Sequence, residues 1–261
     1  MTRRMPISGW IWLAVGFLYF FIPLAATAEF SLKEGEGYGL SAYREIFDDP
    51  AFRDTLWLSF KLALETIAIS LAIFIPTIYW MHLRLPQVRR LVGFLAVLPF
   101  VVPPIVLVVG LLDGFRNAPQ SFIGTEQFLV PGYVVLSFPF MYFGLDTAFR
   151  AIDVHTLTEA SQSLGSGWLR TLFRVILPNI RAGAIAGAFL TLALVMGEFT
   201  MANVALFYTF PVYINYIGST QANPAAALTI ISFGITWLAM IGILLVGRRP
   251  GRGAIQVGGA R

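Results

Sequence analysis

The chain has 261 residues, of which 57% are hydrophobic and 12% charged, with a mean hydropathy of +0.75. A soluble domain carries about twice that share of charge, so the composition excludes an ordinary soluble globular protein and places the chain in the membrane class. The absence of cysteine excludes disulfides, thiolate metal sites and cysteine nucleophiles, and two histidines, His82 and His155, are too few for a histidine metal cluster.

A bilayer core needs about 20 mostly apolar residues per helix. Residues 8–28 carry no charge and form the first predicted span. Arg3 and Arg4 ahead of this run, and Ala26-Thr27-Ala28 at its end, also resemble a secretory signal with a cleavage site. The apolar run is long for a signal, and Pro6 and Trp10 suit an interfacial anchor, so the segment is expected to remain as a span. Residues 29–54 form an acidic outer loop, with seven Asp or Glu against three basic residues. That loop reads either as solvated chain or as a docking surface for an extracytoplasmic partner.

Residues 56–81 form the second span, with Lys61 and Glu65 one helical turn apart and able to pair. Residues 91–112 form the third, kinked by Pro99, Pro103 and Pro104. Residues 127–145 form the fourth and end beside Asp146, which reads as interfacial, as do His82 and His155. Residues 182–203 form the fifth, interrupted by Glu198, and residues 227–246 form the sixth. Between these last two, Pro211, Gly218, Asn223 and Pro224 break an uncharged stretch that is expected to fold into the outer mouth of the bundle. Alternating runs of the barrel type are absent. The expected fold is all-α, an integral membrane bundle of six transmembrane helices. The expected organisation is an N-terminal span with its outer loop (1–55), a transmembrane core (56–246) and a basic tail (247–261).

Arg and Lys set the orientation. Thirteen lie in the N-terminal tail, the second-to-third connection, the fourth-to-fifth connection and the C-terminal tail; four lie on the other side. Both termini are therefore expected in the cytoplasm. This bias accounts for the net charge of +4 better than nucleic-acid binding does.

The fourth-to-fifth connection, residues 150–181, carries the chemistry. Thr156 and Glu159 fit a capping box that would start a short helix, and Gly165 falls where it would end. Ser166 is placed to cap a second helix. Leu169, Leu172, Phe173 and Ile176 follow with helical periodicity, and Pro178 is expected to stop it. Two amphipathic helices bent at a glycine make a rigid element for another protein to grip.

Glu159-Ala160-Ser161, three residues, Gly165, nine residues and Val175-Ile176-Leu177-Pro178 resemble the EAA loop of the permease subunits of binding-protein-dependent ABC importers with the type I fold. The pattern departs from that family at Ser161, where alanine is usual, and at Val175, where isoleucine is. The resemblance implies a coupling helix seated in a groove of a cytoplasmic ATP-binding subunit, with Thr156, Glu159, Ala160, Ser161, Gly165, Leu177 and Pro178 in the coupling element. It implies a second permease, identical or homologous, and an extracytoplasmic solute-binding protein. It implies residence in a bacterial inner membrane. The overall similarity is closest to the polyamine and opine-like group.

Glu198, in Gly197-Glu198-Phe199, is a candidate for the solute path together with Asn203, because a carboxylate at membrane depth is costly. The run is similar to stretches in polyamine permeases and also in sulfate and molybdate permeases. A structural role, bonding polar groups of neighbouring helices, is the alternative for Glu198. Importation of a polyamine or related organic cation is favoured, with an anion such as an oxyanion or phosphonate as the alternative. No phosphate-binding G-x-x-x-x-G-K-[ST] loop occurs, so ATP hydrolysis is expected on another chain, and no cofactor or metal is implied. A secondary transporter is the rival reading, although no internal repeat favours it. An intramembrane enzyme would need clustered acids or histidines at membrane depth.

Reporter fusions at Lys33 and at Gly167 are expected to report opposite sides of the membrane; the same side from both would refute the six-span topology.

Overall fold

The computed structural model describes residues 7–35 and 37–247. Arg3, Arg4 and Pro6, Glu36 of the acidic loop, and the basic tail with Arg248, Arg249, Arg252 and Arg261 lie outside them. Every span is helical because in lipid a backbone must satisfy its own hydrogen bonds. Helix α1, Ile7–Ser31, buries none of its apolar window within the chain. A two-stranded hairpin follows, β1 Lys33–Glu34 against β2 Gly37–Tyr38, and then the short helix α2, Ser41–Asp48. Helix α3, Pro50–Arg84, begins six residues before the expected start of the second span.

The third span is broken more sharply than a kink. Helices α4 (Val88–Leu95) and α5 (Leu98–Val101) make a first limb, and α6 (Pro104–Gly114) makes a second, at 101° to the first. Pro103 and Pro104 both lack an N–H, and each disfavours helical geometry in the residue before it. Val102 and Pro103 are accordingly extended, at ψ 116° and 141°.

Helix α7, Gln120–Ile123, and a 3₁₀ turn, Glu126–Phe128, lead into α8, Leu129–Arg150. Then come α9 (Val154–Ser163), α10 (Trp168–Thr171), a π-helical turn (Leu172–Ile176) and α11 (Leu177–Gly197). The chain closes with α12 (Thr200–Val204), α13 (Phe210–Thr220) and α14 (Ala222–Gly247). Among the described residues five helices are long and apolar enough to cross a membrane, or six when the bent third pair counts as one span.

Two expectations about the fifth span are corrected. Pro178 does not stop the helix before it. The run Trp168–Gly197 is continuous, because the π-helical turn ahead of Pro178 shifts the backbone pairing where the proline has no N–H to give. The span therefore ends at Gly197 rather than near residue 203, and Glu198 sits at the helix break rather than within the span.

The chain forms two compact units, one of residues up to Lys61 with Met196–Thr236, the other of Leu62–Val195 with the stretch from Trp237. In the first, Tyr213 Oη donates to Asp49 Oδ2 at 2.7 Å and Phe210 N–H donates to Ser59 Oγ at 2.9 Å. In the second, a core of Tyr79, Met141, Tyr142, Phe149, Leu172 and Ile176 gathers where α3, α8 and the α10–α11 run meet.

Helices α8 and α11 cross at bare backbone. A Cβ built on Gly183 would lie 2.3 Å from Gly144 O, and one on Gly187 would lie 2.8 Å from Met141 Sδ. Gly183 and Gly187 form a G-x-x-x-G pair, the spacing that lets membrane helices approach closely when there is no hydrophobic driving force between them. Gly183→Val is expected to destabilise the subunit by about 1–3 kcal/mol through overpacking. Ala186→Val, on an exposed position of the same helix, is the neutral control. Thermal unfolding of the solubilised protein checks both.

Candidate functional site

The connection between α8 and the α10–α11 run is an ordered element. Its helix α9 starts at Val154, and the cap is Asp153: Thr156 N–H donates to Asp153 Oδ1 at 3.1 Å and Thr156 Oγ1 donates to Oδ2 at 2.8 Å. The expected capping box from Thr156 to Glu159 does not form, because Asp153 holds extended backbone three residues earlier and takes the cap, leaving Thr156 in the third helical position. The Thr156 hydrogen bonds hold the Asp153 carboxyl below the usual carboxylate range.

The end of α9 is a complete Schellman closure. Gly165 N–H donates to Gln162 O at 2.8 Å and Ser166 N–H donates to Ser161 O at 3.1 Å. Gly165 has φ +78°, a conformation L side chains rarely adopt, so the glycine is required by backbone geometry; a Cβ there would meet nothing within 4 Å. Ser166 does not cap the next helix; Gly167 precedes Trp168 with extended backbone and no side-chain bond.

Two buried polar contacts fasten α9 to its neighbours. Thr158 Oγ1 lies 3.1 Å from Tyr79 Oη, on α3. Ser161 Oγ lies 2.9 Å from Thr171 Oγ1, on α10. The serine that stands where the EAA pattern has alanine is thus buried with a satisfied hydroxyl. Ahead of α9, near the end of α8, lies the Asp146 carboxylate, its residue only 2% exposed. It meets His82 Nε2 at 2.7 Å, Arg89 Nε at 3.2 Å and Arg150 Nη2 at 2.6 Å. Asp146 and His82, read from sequence as interfacial, are therefore a buried junction of α3, the approach to α4 and the end of α8. The i,i+4 spacing of Asp146 and Arg150 was the sequence signal for it.

What α9 leaves exposed is the face that carries the motif. Glu159 and Ala160 are exposed, and Leu164 at the tip is 87% exposed beside half-exposed Trp168 and Leu169. Leu177 packs against the core and Pro178 lies in the first turn of α11, so these two sit where the loop joins the span.

Glu198 is 8% exposed. Both of its carboxylate oxygens accept the Met201 N–H, at 2.9 and 3.0 Å, so the side chain closes the start of α12. Asn203 is exposed on the same short helix.

Residues 68–252 match the family model of the binding-protein-dependent transport system inner membrane component. The chain belongs to that family. The permease is 31% identical over 201 residues, 69% of its length and 70% of the relative's, to the spermidine/putrescine transport system permease protein PotB of Haemophilus influenzae. It is 29% identical over 192 residues, 70% and 71% of the two chains, to a probable molybdenum ABC transporter permease protein of Haloferax volcanii. Its fold is that of solved ABC importer permeases. One is a chain of a bacterial alginate ABC transporter in complex with an alginate pentasaccharide-bound periplasmic protein, with TM-score 0.68 and 16% identity over 93% of this chain and 94% of that one. Another is a chain of the MetNI methionine ABC transporter, with TM-score 0.59 and 18% identity over 75% and 94%.

Gly165→Val forces a β-branched residue into positive φ, and Glu159→Lys reverses an exposed charge. Neither touches the buried contacts. The pair is expected to leave membrane insertion intact while lowering recovery of the ATP-binding subunit in pull-down about tenfold or more. Normal recovery with normal uptake would refute the coupling role of the loop.

Proposed function

We propose that this permease forms half of the translocation path of an ATP-driven importer for a polyamine or related organic cation. The observation that carries the coupling is the α9 turn: a rigid helix fastened to the spans from beneath, with Glu159, Ala160 and Leu164 left exposed. Such an element transmits force, because a docked partner cannot move it without moving α3, α8 and the α10–α11 run. The positive-charge bias supports a cytoplasmic position for this loop and for both termini. ATP hydrolysis then belongs to separate subunits docked there. The second permease completes the path, and the solute-binding protein delivers solute on the opposite face.

The cationic solute is supported by Glu198 and by the likeness to the spermidine/putrescine permease. The carboxylate accepts the Met201 N–H and so serves as the cap of α12. A carboxylate at such a depth also has the sign that suits a cationic solute. Importation of an oxyanion is the second reading, favoured by the likeness to the probable molybdenum permease.

Uptake by the reconstituted transporter discriminates between the two. Spermidine or putrescine is expected to enter in an ATP-dependent manner and molybdate is not. Glu198→Gln keeps an acceptor oxygen for the Met201 N–H and removes the charge. It is expected to raise KM for the polyamine about tenfold or more, as the loss of a desolvated ion-pair partner does, with the assembled complex recovered normally. Loss of assembly without a separate transport defect would make Glu198 structural only. Uptake of molybdate alone would replace the cationic reading with the anionic one, and uptake without ATP would replace both with secondary transport.

A further inference from the structure

Two helices in this chain end in the same closure and use different residues to make it. After α9 the closing residue is Gly165, at φ +78°. After α12 it is Leu206, at φ +62°, with Leu206 N–H donating to Asn203 O at 3.2 Å and Phe207 N–H donating to Ala202 O at 2.9 Å. Glycine adopts that conformation without steric cost, whereas a residue with a Cβ is strained there. Among the described residues Leu206 is the only non-glycine with positive φ. Strain of this kind persists at sites where the side chain is needed for something else.

The need is not met inside the subunit. Leu206 is 90% exposed, the most exposed large hydrophobic among the described residues, and Leu164 on the coupling turn is next at 87%. The two most exposed apolar side chains therefore stand beside the two Schellman closures. The helical run Trp168–Gly197 separates them in the chain, 30 residues long. At 1.5 Å per residue it measures about 45 Å, enough to cross a bilayer core of about 30 Å. The charge pattern of the sequence puts residues 150–181 on the positively charged side, and one apolar span separates them from the stretch that holds Leu206, which is thereby assigned to the other side. Lipid there would be served equally well by a glycine, which would also relieve the turn. A leucine held against its backbone preference fits a shaped apolar recess in a protein that arrives on that face, and the family is one whose transport depends on a binding protein. The turn is also held at both ends, since Glu198 closes the start of α12 and the Schellman bonds close its end.

We propose that Leu206 is an apolar knob presented to the extracytoplasmic solute-binding protein, fixed in a strained turn so that its side chain stands at the contact. The proposal rests on the importer reading above.

The test uses the complete transporter in nanodiscs, with its ATP-binding subunits and the purified binding protein. The chain has no cysteine, so Leu206→Cys gives this subunit a unique thiol for a maleimide photocrosslinker. The expected product joins this subunit to the binding protein; products with the second permease or with lipid alone would overturn the proposal. Leu206→Gly relieves the strain and removes the knob. It is expected to raise the apparent Tm by a few degrees and leave ATPase activity without binding protein unchanged. Stimulation by the binding protein should fall about tenfold, as the loss of an interface anchor does. A lower Tm would place the side chain in packing within the subunit, and unchanged stimulation would show that it is not used; either result overturns the proposal. A wild-type transporter that the binding protein does not stimulate would instead overturn the importer reading, and this proposal with it.

Discussion

The buried Asp146 carboxylate fixes where the end of α8, directly before the α9 turn, is held. A carboxylate excluded from water is tolerated only with partners of opposite charge and satisfied hydrogen bonds. Asp146 has the charges of Arg89 on α4 and Arg150 one turn on in α8, and a hydrogen bond with His82 at the end of α3. The α3–α4 connection and the end of α8, distant in sequence, are thereby held at one point directly before α9 begins. Removing a partner from a fully buried pair costs about 3–5 kcal/mol; here the cost is lower, because Arg150 remains more than half exposed and screened. The junction works together with Tyr79–Thr158 and Ser161–Thr171, so α9 is joined through polar atoms to α3 and α10.

The same solvent constraint shapes the helix breaks. Where the third span breaks, Pro104 begins the new limb, and its missing N–H is one that a first helical turn cannot use. Where the fifth span ends, Glu198 supplies the acceptor that a helix start needs, in a residue shielded from water. At both breaks a backbone group that the new helix cannot pair for itself is either absent or satisfied. Where α8 and α11 cross, bare glycine lets the two backbones meet directly.

The Glu198 carboxylate is buried at the break after the fifth span, where it accepts the Met201 N–H. A cap of this kind has a structural use without any solute. A relative named for spermidine and putrescine and one named for molybdenum are about equally identical to this chain, so overall likeness does not separate the two solute readings.

Sequence by itself determined the class, the spans and the motif. Runs of about 20 apolar residues are a direct consequence of bilayer thickness, and the Glu159-to-Pro178 spacing is local, so neither needed a fold to be legible. Gly165 was legible too, because positive φ at a helix end is a property of the backbone that only certain residues meet. Tertiary structure alone brought His82 of α3 and Arg89 of α4 to Asp146; only its i,i+4 pair with Arg150 was local. It alone placed Asp153 rather than Thr156 at the cap, a choice between two adjacent capping patterns that propensity does not rank. It carried the fifth span through Pro178, because a π-helical turn is an accommodation between helices that leaves no composition signature. And it revealed Leu206 in a glycine's conformation, visible only once the chain has been bent into the turn that strains it.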